Sequence, residues 1–239
     1  MGAKSAAVVF AQGWPADLLA SCPAHDPAQA ADVAARVFPD RTCVRVEDDD
    51  FLELYPGEDE LIVGCYPGVV IVAAQDLGGL EPEEMEQSLI RLVPATTVLH
   101  HSMHSVVDWF AYSLWQDGRL VRALSVSPDD GVMTDVGERQ PFEVPYWNGE
   151  HPWDDEEPDE DPEALPFHPL ELGSAVSLAI LGFELEGCTS DWRFDPDDLR
   201  ATRFQLHKAG QPRPRPRREM PPPPPRRPPP RASRWWWPF

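Results

Sequence analysis

Three histidines lie close together in the sequence, at His100, His101 and His104. Asp108 follows four residues later. Imidazole nitrogens and carboxylate oxygens together suit ions such as zinc, iron or manganese. In a β-strand, His100 and His104 would share one face but lie roughly 13 Å apart, which is too far for one ion without a bend. If a bulge brings them together, the candidate metal ligands are His100, His104 and His168. The alternative is a group of hydrogen-bonded histidines at the end of a strand.

A metal-assisted hydrolase would also need an acid or base, and the catalytic candidates are His104, Asp108 and Glu143. Asp108 lies in an apolar run that predicts a central strand. A carboxylate in such a strand must be paired or have a raised pKa. Arg119 and Arg122 on the facing strand are its predicted partners. A structural ion pair is therefore the alternative to catalysis.

The sequence has no glycine-rich phosphate loop, no nucleophile elbow and no paired-cysteine zinc motif. We therefore expect no bound cofactor and favour a protein without enzymatic activity. The predicted function is a binding or interaction module. A hydrolase centred on His100 and His104 is the alternative.

A candidate ligand-binding surface lies further along the chain, in the loop Pro-Tyr-Trp-Asn-Gly at 145–149. Aromatic side chains in a loop with turn residues are exposed more often than those in strands. The predicted ligand-binding residues are Tyr146, Trp147 and His151.

The elements that must position these residues form a mostly antiparallel meander. Asp117-Gly118 suits the positive φ angles of a type I′ hairpin, and Pro67-Gly68 supplies a second turn. Asp26 followed by Pro27 marks a helix start. The predicted strands are 3–10, 42–46, 61–65, 69–73, 96–99, 106–116, 119–125, 132–136 and 141–144, with 182–187 as a last strand or turn. The predicted helices are 26–38, 81–93 and 169–181.

This pattern predicts one domain of the α+β class. We expect a mostly antiparallel mixed sheet of six to nine strands, with two to three helices packed on it. The domain covers residues 1–208 and includes a carboxylate-rich loop at 150–163. Residues 209–239 contain 12 prolines and eight arginines, which predicts a disordered, extended tail.

The two parts of the chain have opposite charge. Residues 1–208 carry a net charge of −28 and residues 209–239 a net charge of +7. An acidic body repels phosphate groups, so we predict that it makes no contact with DNA. The tail is predicted to contact an acidic partner, most simply a protein, or its own acidic loop; anionic lipid and RNA are further possible partners. The predicted tail contacts are Arg226, Arg227, Arg234, Trp235, Trp236 and Trp237.

Cysteine spacing and hydropathy predict a cytoplasmic location. The four cysteines are scattered and form no CxxC pair, so we expect reduced thiols rather than a disulfide framework. The apolar run near the start is too short for a secretory signal, and no segment is long and apolar enough to predict a transmembrane helix.

Several blocks of the chain resemble an uncharacterised family of actinobacterial proteins, a domain of unknown function. The blocks are HSMHSVVDWFAYSLWQDGRLVRALSVSPDDGV, VGERQPFEVPYWNGEHP, LPFHPLELG and LGFELEG, together with the opening MGAKSAAVVFAQG. They occur in one order over residues 1 to about 187. The resemblance covers neither the acidic loop nor the tail, and it implies no activity.

Overall fold

One antiparallel sheet of nine strands runs through the computed structural model, which describes residues 4–80, 85, 87–152, 165–184 and 192–208. The order across the sheet is β2-β9-β3-β4-β1-β5-β6-β7-β8. In chain order the strands are β1 (Lys4–Ala11), β2 (Arg41–Phe51), β3 (Glu60–Tyr66), β4 (Val69–Ala73), β5 (Thr97–His104), β6 (Trp109–Gln116), β7 (Arg119–Ser127), β8 (Gly131–Gly137) and β9 (Arg200–Lys208).

Helices cover both faces of this sheet. α1 (Pro15–Leu19) and α5 (Pro169–Leu181) pack on one face, which we call the α5 face. α2 (Pro27–Val37) packs on the opposite face, which we call the α2 face. Two single-turn helices, α3 (Gln87–Ile90) and α4 (Val144–Trp147), complete the α-helices of the described residues.

The central strand β1 shows why the sheet needs both layers. Val9 points into the core of the α5 face, and its neighbours Val8 and Phe10 point into the core of the α2 face. All three side chains are buried. A strand covered on both sides is apolar at nearly every position, which explains the run AAVVF in the sequence.

The predicted starts and ends of the two longer helices are confirmed. The Asp26 side chain caps α2 by accepting hydrogen bonds from the backbone amides of Ala28 and Gln29. At the other end of the chain, α5 stops at Gly182, whose φ of 94° is left-handed and needs glycine.

The two predicted hairpins are also confirmed. Asp117 and Gly118 both have positive φ, at 50° and 75°, which is the backbone of a type I′ turn between β6 and β7. Gly68 has a φ of 77° in the turn between β3 and β4. Every strand pairing in the described sheet is antiparallel. The prediction of a mostly antiparallel sheet therefore holds, but the described sheet lacks the parallel pairs that would make it mixed.

Parts of the predicted pattern differ from the structure, and one strand was missed. The predicted strand 141–144 is not formed: residues 141–143 form a turn and Val144 begins α4, because this segment packs over the α5 face without joining the sheet. The predicted helix 81–93 is helical only at α3, and 81–84 and 86 lie outside the described residues. Strand β9 was not predicted, although it lies inside the sheet between β2 and β3.

Other predictions fall on parts of the chain outside the described residues. Of the predicted acidic loop 150–163, only 150–152 are described, and 185–187 and the predicted tail 209–239 are not. Among the residues that are described, no helix combines the length and apolar character needed to cross a bilayer.

Candidate functional site

Glu143 is fully buried and accepts hydrogen bonds from five donors. Arg122 forms a bidentate pair with it, with Nε 2.8 Å from Oε1 and Nη2 2.6 Å from Oε2. The Tyr112 hydroxyl and the Gln140 backbone amide also donate to Oε1, and Trp147 Nε1 donates to Oε2 at 3.4 Å. A carboxylate offers about four lone-pair positions. Because these are all taken, Glu143 is arranged to hold neighbouring groups in place.

Arg122, on β7, carries the positive charge of this network, and its side chain has 0% exposure. Its Nη1 also donates to Asp135 Oδ1 at 2.5 Å. Burial alone would lower the pKa of Arg122, but the hydrogen bonds to Glu143 and Asp135 outweigh it and raise the pKa. Burial and then the charge of Glu143 raise the pKa of Tyr112. The network therefore contains a charged arginine, two carboxylates and a neutral phenol.

Strand register places these groups on one face of the sheet. Tyr112 pairs with Leu124, and Arg122 pairs with Leu114, so both polar side chains point to the α5 face. Beyond β8 the chain crosses this face and brings Glu143 over them. Glu143, which directly precedes α4, thus anchors the start of this helix on the α5 face.

The three predicted ligand-binding residues come together at α4, around Phe167. The rings of Tyr146 and His151 are stacked, with centroids 4.2 Å apart. Tyr146 and Trp147 both meet the Phe167 ring edge to face, at centroid distances of 5.8 and 4.9 Å. We call these four residues the aromatic corner. Phe167 is buried, His151 is exposed, and the other two are half-buried.

Charged residues of both signs surround the rings of the aromatic corner. The guanidinium of Arg139 lies over the Trp147 ring, 4.0 Å from its centroid. The Tyr146 hydroxyl donates to the backbone carbonyl of Glu171 at 3.4 Å. Burial and then the charges of Glu171 and Glu184 raise the pKa of Tyr146, so its phenol stays neutral. Such a surface suits apolar or cationic groups.

His100 and His101 are fully buried on opposite faces of β5. His100 Nε2 lies 2.7 Å from the carbonyl of Leu77, and its Nδ1 has no partner in the described structure. His101 bridges two elements, since Nδ1 meets the Ser5 hydroxyl at 2.7 Å and Nε2 meets the Gly173 carbonyl at 3.0 Å. Burial lowers the pKa of both imidazoles to about 4, so both are neutral at pH 7.

Asp108 does not lie in a central strand, so that prediction is wrong. It lies in the turn between β5 and β6 with a φ of 45°, a conformation that aspartate tolerates and that ends a strand. Its carboxylate lies 4.0 Å from His168 Nε2. Arg122 pairs with Glu143 instead of Asp108.

The remaining metal candidates, His104 and His168, have different roles and different partners. His104 is half-buried at the end of β5, and its Nδ1 is buried without a partner among the described residues. His168 precedes α5 and caps it by accepting from the amide of Leu170. Within the described ranges, no group of three or more His, Cys, Asp or Glu side chains is placed to hold a metal ion.

A cavity of about 420 Å³ lies elsewhere, between the end of α2 and the loop before α3. None of the predicted site residues lines it. Its lining is largely apolar and includes Phe38, Leu77, Leu80, Leu89 and Leu92.

Sequence reasoning named Glu143, Tyr146 and Trp147 but missed what holds them. Phe167 stands beside the predicted ligand His168, and no local pattern separates it from an ordinary core residue. Arg122 did carry a signal, because an arginine in the apolar strand LVRALSVS must find a buried carboxylate.

The fold and site define an α+β domain in which a buried ion pair supports an aromatic corner. Residues 5–204 match a family described as a family of unknown function (DUF6928), and the protein belongs to that family. The match begins in β1, ends in β9 and includes the ion pair and the aromatic corner. No curated protein matches the chain. No solved structure matches it either. The predicted resemblance to an uncharacterised family is confirmed, while the actinobacterial origin stays a prediction.

Proposed function

We propose that this protein is a non-enzymatic binding module that recognises a protein partner through the aromatic corner. The observation that carries the proposal is the anchoring of α4. Glu143, fixed by Arg122 and Tyr112, holds the turn that presents Tyr146 and Trp147 at the surface. Preorganised aromatic side chains give contact area at a low entropic cost, which is why they are enriched in binding surfaces.

The surroundings of the catalytic candidate Glu143 and the metal candidate His100 favour binding over catalysis. Glu143 has its acceptor positions filled and is buried, so it is poorly placed to accept a substrate proton. His100 holds a backbone carbonyl in the interior. A metal-assisted hydrolase would need a converging set of ligands, and the described residues supply none.

Selection of peptides from a random display library on the full-length protein tests the role of the aromatic corner. We expect the selected peptides to bind at least about tenfold more weakly to Tyr146→Ala, the loss typical of a central contact residue. Trp192→Ala is the matched control, because Trp192 is an exposed aromatic residue elsewhere. Circular dichroism checks that both variants fold. Peptides that bind Tyr146→Ala as well as the wild type would refute the proposal, as would a library that yields none.

The tail adds a second, charge-based contact to the proposed function. Residues 209–239 carry a net charge of +7, which suits an acidic protein surface or the carboxylate-rich residues 150–163, and the protein is proposed to act in the cytoplasm. Poly-glutamate serves as the probe for an acidic partner. We expect full-length protein to bind it, with an affinity that falls as salt rises and falls further when Arg226, Arg227 and Arg234 are changed to glutamine. Equal binding by the wild type and this variant would rule out these contacts.

A further inference from the structure

The surroundings of the aromatic corner are acidic. Glu171 and Glu184 are close enough to Tyr146 for their charges to act on its phenol, and Glu150 is exposed beside His151. A ligand that meets these rings therefore also meets a negative potential, which selects for a cationic ligand.

One arginine of the protein already lies on this surface. Arg139 stacks on Trp147 with its guanidinium 4.0 Å from the ring centroid. Its other charged contact, with Asp135, is 3.9 Å long, and the Arg139 side chain is 45% exposed. The contact with Trp147 shows the geometry in which a guanidinium fits the corner, because planar guanidinium groups stack on aromatic faces better than ammonium groups do.

Aromatic surfaces also bind proline. Pyrrolidine rings pack against Tyr and Trp, and a polyproline II segment is extended before binding, so it loses little entropy on docking. The rings favour proline, and the neighbouring carboxylates favour arginine. Both preferences are met by a ligand that contains proline and arginine.

From these contacts we infer that the aromatic corner binds an extended peptide rich in arginine and proline, supplied by another molecule. Guanidinium groups of the peptide stack on the exposed parts of Trp147 and Tyr146 and face the carboxylates of Glu150 and Glu171, while its prolines pack against the outer surface of the same rings. This inference rests on the proposed function and names the chemistry of the partner.

The probe is the synthetic peptide PRPRPRR, titrated into full-length protein and followed by calorimetry. The titration is repeated on a full-length variant in which all eight arginines of 209–239 are changed to glutamine. In this variant the protein's own arginine- and proline-rich sequence no longer competes with the peptide. In that background we expect binding that weakens as salt rises and that Tyr146→Ala reduces by about tenfold. We expect PKPKPKK and GRGRGRR to bind more weakly, since one lacks the guanidinium and the other the preformed helix. No binding of PRPRPRR, or equal binding of all three peptides, would overturn the inference.

Arg139→Ala gives a sharper test because it should strengthen binding. Removing this side chain uncovers the Trp147 ring for the peptide. Arg193→Ala is the matched control, since it also removes one exposed positive charge, at a site that pairs with Asp17. Affinity that rises more for Arg139→Ala than for Arg193→Ala supports the inference, and an equal change contradicts stacking on Trp147.

Charge recognition is tested in the same way. Glu171→Gln keeps the backbone carbonyl that Tyr146 uses and should weaken peptide binding, whereas Glu58→Gln, an exposed residue before β3, should not. The library experiment separates the two proposals. Selected peptides that depend on Tyr146 but lack arginine and proline would keep the proposed function and overturn this inference.

Discussion

Glu143 and Arg122 form a charge pair with both side chains out of contact with water. Removing two charges from water costs several kcal/mol per ion, and only good geometry with further hydrogen bonds offsets this cost. Here the bidentate contact and the donors from Tyr112 and Gln140 provide that geometry. The pair therefore contributes less to net stability than to fixing the position of α4. Removing only one of its two residues leaves the charge of the other buried and uncompensated.

Changing Glu143 to glutamine tests this arrangement at the residue scale. Glu143→Gln keeps the shape of the side chain but leaves the buried Arg122 with Asp135 as its only anionic partner in the network. We expect the free energy of unfolding to fall by about 3 kcal/mol, the cost of breaking a buried pair. Urea denaturation measures the change.

Two further variants serve as controls for that measurement. Asp135→Asn removes the partner that is 36% exposed, and solvent screening should limit its cost to about 1 kcal/mol. In Arg122→Met/Glu143→Gln both charges are gone, so the double variant should lose less than the sum of the single changes. A loss for Glu143→Gln no larger than that for Asp135→Asn would contradict the anchoring role.

At the scale of elements, α5 lies unusually close to the sheet at Gly173. A Cβ there would lie 2.8 Å from Met103 Sδ and 2.9 Å from Phe110 Cδ2. This closeness also lets His101 reach the Gly173 carbonyl. Glycine inside a helix is therefore explained by packing rather than by backbone conformation.

Gly173→Ala should destabilise the domain even though alanine is the better helix former. Overpacking costs roughly 1–3 kcal/mol, against a helix-propensity gain of about 1 kcal/mol. We expect a lower Tm in thermal denaturation. Gly13→Ala is the control, because a Cβ at Gly13 would meet only Leu18, at 3.9 Å. An unchanged or higher Tm for Gly173→Ala would show that α5 can shift away without cost.

Strand β9 should be essential, because it joins β2 to β3. Phe204 and Leu206 are buried in the core of the α2 face, and Thr202 is fully buried. A chain ending at residue 199 should lack a cooperative unfolding transition, whereas one ending at 208 should keep it. Near-ultraviolet circular dichroism during urea titration distinguishes them. Native-like unfolding of the shorter chain would show that β3 does not need β9.

The elements that were predicted from sequence carry local signals. Asp117-Gly118 fixes a turn by its own backbone preferences, and the cap at Asp26 and the stop at Gly182 act within one helical turn. Strand β9 has no such signal, because its partners β2 and β3 lie about 140 to 170 residues earlier in the chain. Apolar neighbours made Asp108 look like part of a strand, yet a single positive φ ends the strand there.

The candidate site was predicted in its residue types more than in its contacts. Tyr146, Trp147 and His151 do meet, because they lie within one short segment. The pairing of Glu143 with Arg122 depends on how the chain crosses the sheet, so sequence spacing could not reveal it. Tyr112, whose hydroxyl donates a hydrogen bond to Glu143, looked like an ordinary core aromatic residue.

For the whole molecule, the buried histidines predict acid sensitivity. His100 and His101 have a pKa of about 4 in the folded protein and an ordinary value of 6.5 when unfolded. Between these values the unfolded chain binds more protons, so stability is full above pH 6.5 and falls as the pH drops towards 4. Each histidine contributes a slope of up to about 1.4 kcal/mol per pH unit.

Urea denaturation between pH 7 and 5.5, above the range in which most carboxylates titrate, measures this slope. His100→Gln should reduce the slope by one proton relative to the wild type. Stability that does not vary with pH in the wild type would show that the two buried rings do not resist protonation.

The interior position of β9 also governs the order in which the sheet can be completed on the ribosome. β2 pairs only with β9 in the described sheet, and β9 is translated last among the nine strands. At about 5–20 residues per second, β2 waits roughly 10–30 s for its partner. An unpaired strand in a nascent chain is prone to join neighbouring chains, and charged residues oppose this. The run Glu-Asp-Asp-Asp at 47–50 places four negative charges on β2, so newly made copies repel one another there until β9 arrives.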